Sequence, residues 1–157
     1  MSKELEVLVK IKEPEKEVWK KIKPIKNDVM IDTYFDFPQI VLRVRGSFSP
    51  FLLTCKKDVF KGKKWLYSKE YETPVNSQIF SILRLLGFKP TIEIEITKFY
   101  CENGIEIQKV KGLGLFLEAE GKNRKEIWAR IKKTGIKVSK ELNKGKPQLM
   151  LEKLKAN

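Results

Sequence analysis

Residues 112–121 read GLGLFLEAEG, and in this stretch apolar and charged side chains alternate. The side chains of an extended strand point alternately to its two faces, so Leu117 and Ala119 share one face and Glu118 and Glu120 share the other. The pattern predicts a β-strand over 112–121 that packs on a core with one face and carries two carboxylates on the other.

Polar or charged residues two positions apart recur in other segments that alternate in the same way. The pairs are Glu4/Glu6, Arg43/Arg45, Thr54/Lys56, Glu70/Glu72 and Glu93/Glu95. Strands are predicted at 3–12, 29–37, 39–46, 50–57, 65–73, 91–100 and 104–110, in addition to 112–121. The Asn103-Gly104 pair predicts a tight hairpin between 91–100 and 104–110.

Segments with helical periodicity separate several of these strands. The segment 13–22 is entered at Pro14, Asn76 and Asn123 are placed to cap the helices predicted at 76–86 and 123–134, and a short helical tail ends the chain. Each of the three longer helices has an apolar stripe that must lie against a sheet. If the helices cover the apolar strand faces, the charged faces line an enclosed interior. We therefore predict an α+β fold in which a closed eight-stranded antiparallel β-barrel, or tunnel, has helices packed on its outside, as a single domain over residues 1–157.

The composition is that of a globular protein, since 41% of the 157 residues are hydrophobic and 34% are charged. No apolar run has the length that a membrane span needs, and the N-terminus has no apolar leader, so a cytoplasmic location is predicted. Abundant Lys and Glu with no His are typical of thermophile proteins. Cys55 and Cys101 lack the spacing of metal ligands; two free thiols are expected, with a disulfide between them as the alternative.

The net charge of +13 has two interpretations. A charge of this size attracts polyanions such as nucleic acids, anionic lipids and nucleotides. It is also the charge of a lysine-rich surface in contact with water, and the scatter of the lysines along the chain favours this interpretation. Trp19 and Trp128 fall on apolar helical stripes, so no aromatic series accompanies the basic residues as base stacking requires. Specific nucleic-acid binding and membrane binding are therefore not expected.

An enclosed charged face has a definite chemical meaning. Charges removed from water are costly unless they pair, bind a metal or meet a charged ligand. Carboxylates in such a place suit hard divalent cations such as Mg²⁺ or Mn²⁺, and arginines suit phosphate oxygens. The alternative is an ordinary sheet surface in contact with water, on which cross-strand ion pairs contribute little to stability.

Six segments that occur in order carry a resemblance to a known family. They are Glu4-Leu-Glu6, Asp32-Thr-Tyr-Phe-Asp36, Leu42-Arg-Val-Arg45, Leu53-Thr-Cys-Lys56, Lys69-Glu-Tyr-Glu72 and the strand from Gly112 to Glu120. The series resembles the CYTH domain of class IV adenylate cyclases and thiamine triphosphatases, the triphosphate tunnel metalloenzymes. The resemblance implies an eight-stranded antiparallel tunnel in which glutamates hold one or two divalent metal ions and basic residues clamp a triphosphate.

The resemblance also implies roles for individual residues of this chain. The expected ligands of Mg²⁺ or Mn²⁺ are Glu4, Glu6, Glu118 and Glu120. The residues expected to grip the phosphates and to serve in catalysis are Arg43, Arg45 and Lys56. Substrate binding is expected to involve these three residues together with Lys10, Glu70 and Glu72.

Several positions depart from the family pattern. The opening motif Glu-x-Glu-x-Lys has Leu8 at its lysine position, and Lys10, on the same strand face, is expected to lean back toward the resulting gap. A usual Lys-x-Arg pair is replaced by Glu95 and Thr97, and a usual Asp by Gln108. The Ser-Tyr pair near the family's C-terminus has no counterpart in GKPQLMLEKL. The predicted interior is thus richer in carboxylates than in cations.

Three functions remain open from the sequence. The first is metal-dependent binding and turnover of a triphosphate compound, by hydrolysis or by cyclisation; the compound is a nucleoside triphosphate, thiamine triphosphate or tripolyphosphate. The second is a degenerate barrel that binds phosphates or nucleotides without turnover, and the third is a basic RNA-binding protein. The expected partner is a small-molecule triphosphate, and self-association as a homodimer is left open.

If the basic surface is simply in contact with water, we expect RNA to bind weakly and to be released near physiological ionic strength, because such binding depends on counterion release. Fluorescence anisotropy of a labelled single-stranded RNA across a salt series measures this. Tight binding that survives physiological salt, with no competition from tripolyphosphate, would instead support the RNA-binding function.

Overall fold

The computed structural model describes residues 2–36 and 39–157, and the side chains of all of these except residues 2–4 and 65. Nine β-strands and four α-helices follow one another along this part of the chain. In chain order they are β1 (Ser2–Glu4), β2 (Glu6–Lys10), α1 (Glu15–Lys21), β3 (Pro24–Phe35), β4 (Val41–Arg45), β5 (Phe51–Lys61), β6 (Lys64–Val75), α2 (Gln78–Leu85), β7 (Pro90–Cys101), β8 (Ile105–Val110), β9 (Gly114–Glu120), α3 (Arg124–Lys133) and α4 (Lys146–Ala156). The strands pair antiparallel, which confirms the predicted α+β class.

The chain forms two compact units. Unit 1 contains Met30–Glu95 together with the N-terminal residues through Glu4, and unit 2 contains Leu5–Val29 and Ile96–Asn157. Strands β3 and β7 each give one part of their length to unit 1 and the other part to unit 2. That one domain spans residues 1–157 stays a prediction.

In unit 1 the hydrogen-bonded strands follow the order β1-β6-β5-β4-β3-β7. The apolar residues of β3 and β4 alternate with polar ones, and Phe35, Leu42 and Val44 are buried against Ile79 and Leu83 of α2. This helix therefore covers the apolar face of unit 1, as predicted. The start of α2 is fixed by Asn76, whose Oδ1 accepts a hydrogen bond from the Gln78 backbone N–H at 2.9 Å.

In unit 2 the strand order is β3-β7-β8-β9-β2. The core forms where the apolar faces of β2, β8 and β9 meet α1 and α3. Its fully buried members include Val7, Ile107, Leu117, Val18 and Ile127. Since two helices occupy this apolar face, the glutamates of β2 and β9 are left on the opposite, polar face.

The outer edge of β2 is covered by residues 137–142, which run beside it. Backbone hydrogen bonds of 2.8 Å join Lys12 N–H to the Lys137 carbonyl, Ser139 N–H to the Lys10 carbonyl and Leu142 N–H to the Leu8 carbonyl. This segment leads into α4, so the edge pairing fixes the point from which the last helix starts.

The N-terminal strand differs from its prediction. The alternation over 3–12 predicts one strand, but the chain changes pairing partner at Leu5: β1 pairs with β6 in unit 1 and β2 pairs with β9 in unit 2. The strand order of the described residues is linear, with β1 at one end and β2 at the other. Because β1 and β2 are the two parts of the first predicted strand, the eight predicted antiparallel strands are confirmed. Closure of these strands into a barrel stays a prediction.

Of two hairpins, one agrees with its prediction and the other is longer than predicted. The predicted Asn103-Gly104 hairpin is confirmed: both residues have left-handed backbone angles, with φ of 59° and 67°, which asparagine and glycine tolerate best. The hairpin of β5 and β6 is longer than predicted, because Val59 and Phe60 continue the strand up to a turn at Gly62.

Two predictions from composition have simple outcomes. Cys55 is half-buried, Cys101 is buried and both are free thiols, as expected. None of the described helices is both long and apolar enough to cross a membrane.

The buried core of unit 2 yields a prediction of stability. Replacing Ile107, which is 0% exposed in the central strand β8, by alanine should lower the free energy of unfolding by about 2–5 kcal/mol, through lost burial and a cavity. Ile25→Ala is the matched control, because Ile25 is a strand residue that is 70% exposed, and its cost should stay below about 1 kcal/mol. Urea unfolding measures both; equal losses would contradict this account of the core.

Candidate functional site

The polar face of unit 1 holds a basic cluster, which we define as Arg43, Arg45 and Lys56. Two of its members lie on β4 and the third on β5, and all three side chains are largely removed from solvent. Strand register brings Tyr34, Arg43, Thr54 and Glu72 into one row across β3, β4, β5 and β6. The two-residue spacing seen in the sequence thus places the predicted phosphate-binding residues side by side.

A fully buried carboxylate, Asp32, holds the two arginines. Arg45 donates from Nε and Nη2 to the two oxygens of Asp32, at 2.6 and 2.7 Å, and Asp32 is 0% exposed. The second guanidinium, that of Arg43, lies 3.7 Å from the same carboxylate. Two-point contacts of this kind are among the strongest hydrogen bonds in proteins and fix the plane of the guanidinium. Asp32 is therefore a buried support that orients the two arginines of the basic cluster.

Hydrogen bonds continue from Arg43 to the other side of the row. Arg43 Nη2 donates to Thr54 Oγ1 at 3.1 Å, and the Thr54 hydroxyl donates to Glu72 Oε2 at 2.8 Å. Arg43 Nη2 also lies 3.6 Å from Glu72, and Lys56 Nζ lies 3.7 Å from Glu70. Among the described residues, no atom accepts a hydrogen bond from the buried Nε of Arg43.

The charges of the basic cluster are thus balanced within unit 1 by Asp32, Glu70 and Glu72. The last two, predicted as substrate-binding residues, lie where they hold the cations in place. An added anion has to compete with these carboxylates for the same donors.

Tyr34 belongs to the same buried group. Its hydroxyl donates to Asp32 Oδ2 at 3.4 Å. Burial, followed by the negative charge of Asp32, raises the pKa of the Tyr34 phenol from 10.0 to about 12. The fold therefore favours the neutral phenol.

The polar face of unit 2 holds an acidic cluster, which we define as Glu6, Glu118 and Glu120. Glu6 lies opposite Glu120 in the pairing of β2 with β9, and Glu118 lies two residues before Glu120 on the same face. One carboxylate oxygen from each of the three lies within 4.8 Å of the others. The fourth predicted ligand, Glu4, belongs to β1, but its side chain lies outside the described part of the chain.

The acidic cluster suits a hard divalent cation. Three negative charges so close together repel one another, and a cation between them relieves that repulsion. Carboxylate oxygens are the donors that Mg²⁺ and Mn²⁺ prefer, and a partly exposed site leaves room for the water ligands that Mg²⁺ retains. Glu6 and Glu118 are half-buried and Glu120 is exposed, which meets this requirement.

Further polar residues surround the acidic cluster within unit 2. A cavity of about 310 Å³ is lined by Tyr100, Glu106, Glu118 and Glu120. Lys98 Nζ lies 3.0 Å from Glu106. In strand register Glu118 therefore lies between Leu8 of β2 and Glu106 of β8, and Glu106 is paired with the Lys98 ammonium.

The last helix contributes Lys146 to this face. Its ammonium group donates a hydrogen bond to Gln108 Oε1 and lies 3.6 Å from Glu118 Oε2. Lys146 is only 8% exposed. A cation from the C-terminal part of the chain thus stands next to a predicted metal ligand.

Lys10 does not lean toward Leu8, contrary to expectation. Its Nζ donates to the Leu113 carbonyl at 3.0 Å and lies 5.6 Å from the centre of the Phe116 ring. In the register of β2 with β9, Leu8 faces Glu118 and Lys10 faces Phe116, so Leu113 lies beyond Lys10, on the side away from Leu8. The role of Lys10 in substrate binding stays a prediction.

Three residues near these clusters are missed by sequence reasoning: Asp32, Lys98 and Lys146. Asp32 and Tyr34 show the two-residue alternation, and a carboxylate beside two arginine-bearing positions could have been read as their partner. Lys146 gives no such signal, because its position depends on where α4 starts. Glu93 and Glu95, expected to face inward, are instead exposed on β7.

Comparison with known proteins identifies the family and the fold. The CYTH domain family model matches residues 2–151. No curated protein matches the chain significantly.

Three solved structures are similar in fold. A conserved hypothetical protein from Pyrococcus furiosus has 22% sequence identity and a TM-score of 0.74, with 92% of this chain and 99% of that chain covered. The PH1819 protein from Pyrococcus horikoshii OT3 has 26% identity and a TM-score of 0.67, with 95% and 99% covered. HpAC1 from Hippeastrum, for which a dominant triphosphatase activity is described, has 13% identity and a TM-score of 0.71, with 95% of each chain covered.

The buried phenol of unit 1 gives a pH-dependent prediction. We expect the phenolate absorbance of wild type minus that of Tyr34→Phe to rise with a midpoint near pH 12. The stability that neutral Tyr34 contributes is present below its unfolded pKa of about 10 and is lost as the pH rises toward 12, because the folded pKa is the higher one. A difference spectrum that rises near pH 10 would show that water reaches the phenol.

Proposed function

The chain belongs to the CYTH domain family, and on that premise we propose that it binds a triphosphate compound with a divalent metal ion and turns it over. The observation that carries the proposal is the acidic cluster, in which Glu6, Glu118 and Glu120 bring carboxylate oxygens within 4.8 Å of one another. Metal dependence is general in this family. The residues that would hold the ion here are these three, with Glu4 as a further candidate.

A bound Mg²⁺ or Mn²⁺ would supply charge neutralisation and polarisation of phosphoryl oxygens. The residues of the acidic cluster orient and hold that charge from two adjacent strands, whose pairing keeps their spacing fixed. A rigid sheet is a better support for such a site than a loop, because the carboxylates are brought together before any ligand arrives.

The basic cluster would bind phosphate oxygens. A guanidinium presents several N–H donors in one plane and can contact two phosphate oxygens at once, whereas Lys56 acts as a point charge. Asp32 keeps Arg45 in a fixed plane and also lies 3.7 Å from the Arg43 guanidinium. In a transfer reaction these donors would stabilise the negative charge on the transferred group.

Each cluster by itself suits a polyphosphate by charge, the carboxylates through a metal ion and the cations directly. Tripolyphosphate is therefore the simplest ligand with which to test the proposal, before nucleoside triphosphates and thiamine triphosphate. The triphosphatase activity described for HpAC1 makes hydrolysis the first reaction to measure, and cyclisation of a nucleoside triphosphate the second.

Binding without turnover is a second candidate function, favoured by a specific observation. Each cation of the basic cluster has a carboxylate neighbour within 3.7 Å, so part of any gain from phosphate binding is offset by the loss of an existing ion pair. Phosphate release from tripolyphosphate with Mn²⁺ separates the two functions: binding without release identifies the second.

The metal site is tested by the double variant Glu118→Gln/Glu120→Gln. We expect its affinity for Mn²⁺, measured by calorimetry, to fall by more than the roughly 10- to 100-fold typical of changes one step removed from a metal. Glu17→Gln/Glu126→Gln removes two helical carboxylates outside the acidic cluster and should keep the wild-type affinity. Equal Mn²⁺ affinity in all three proteins would rule out the acidic cluster as the metal site.

A further inference from the structure

The acidic cluster surrounds an apolar position. Along the polar face of β2, Glu6 is followed by Leu8 and then by Lys10, and Leu8 lies directly opposite Glu118 of β9. Lys10 is bound to the Leu113 carbonyl, on the side away from Leu8. Strand β2 itself therefore brings no cation next to Glu118.

Lys146 brings a cation to this place from another element. Residues 137–142 run along β2, with Leu142 N–H bonded to the Leu8 carbonyl at 2.8 Å, and the chain then turns into α4. The Lys146 ammonium lies 3.6 Å from Glu118 and donates to Gln108, which is two residues from Glu106 on β8. The ammonium thus adjoins the carboxylate that Leu8 faces.

The burial of Lys146 indicates more than an incidental surface contact. A lysine that is 8% exposed loses most of its hydration, so its ammonium depends on acceptors within the fold, among them Glu118 at 3.6 Å and the side-chain oxygen of Gln108. An ammonium has three N–H donors, and a ligand phosphate would supply acceptors of the right charge.

We propose that Lys146 supplies, from the start of α4, the phosphate-binding ammonium that position 8 of β2 lacks. The inference rests on the proposed function, since it assigns a phosphate contact beside the proposed metal site. It also gives Lys146 a second effect: its positive charge opposes a metal ion that binds Glu118 in the absence of phosphate.

The test compares Lys146→Met, the matched control Lys144→Met and the double variant Leu8→Lys/Lys146→Met. Lys144 is an exposed lysine two residues away whose partner is Glu152. Calorimetry measures the binding of Mn²⁺ alone and of tripolyphosphate at saturating Mn²⁺. If Lys146→Met does not fold, Lys146→Gln removes the same charge and keeps a donor for Gln108.

We expect Lys146→Met to weaken tripolyphosphate binding about tenfold or more, as for the loss of one charge-assisted hydrogen bond, and to bind Mn²⁺ alone at least as tightly as wild type. A merely structural role would weaken both. Leu8→Lys in the Lys146→Met background should restore most of the tripolyphosphate affinity, and Lys144→Met should match wild type.

Wild-type binding of tripolyphosphate that is unchanged in Lys146→Met, or weakened equally by Lys144→Met, would overturn this inference and leave the proposed function standing. Failure of Leu8→Lys to restore binding would overturn the equivalence of the two positions. Absence of tripolyphosphate binding by the wild type would overturn the proposed function and the inference with it.

Discussion

Charge on a partly buried strand face has to be balanced within the protein, and this constraint governs the polar faces of both units. In unit 1 the balance is made by the strands themselves, since Asp32 and Glu70 lie one strand away, and Glu72 two strands away, from the cations they accompany. In unit 2 it is made partly by a helix, because Lys146 comes from α4. The two solutions differ in one respect: cross-strand pairs are fixed by register, whereas a helix-borne lysine depends on where the helix is anchored.

This difference also explains what the sequence could and could not predict. Alternation with a period of two reveals which residues share a strand face, so Arg43 with Arg45 and Glu118 with Glu120 were grouped correctly. Local signals of similar strength located the asparagine that caps α3, whose side chain accepts from Glu126 N–H, and the hairpin at Asn103. These features depend on a few neighbouring residues and on backbone sterics.

Features that depend on distant parts of the chain were not predictable in this way. The break at Leu5 arises because two halves of one alternating segment pair with different strands, and alternation says nothing about partners. The early start of β3 at Pro24 was missed because residues 24–29 are exposed and have no apolar face to reveal them. Lys146 belongs to the same class, since α4 and β9 meet only in the folded chain.

The segment 137–142, which runs along the edge of β2, affects how the protein behaves in concentrated solution. An unpaired strand edge offers N–H and C=O groups on which another molecule can add a strand and begin to aggregate. The backbone bonds from Lys12, Ser139 and Leu142 occupy this edge with the protein's own chain. An intruding strand would first have to displace residues 137–142, so intermolecular sheet growth at β2 is opposed by contacts that already exist in the monomer.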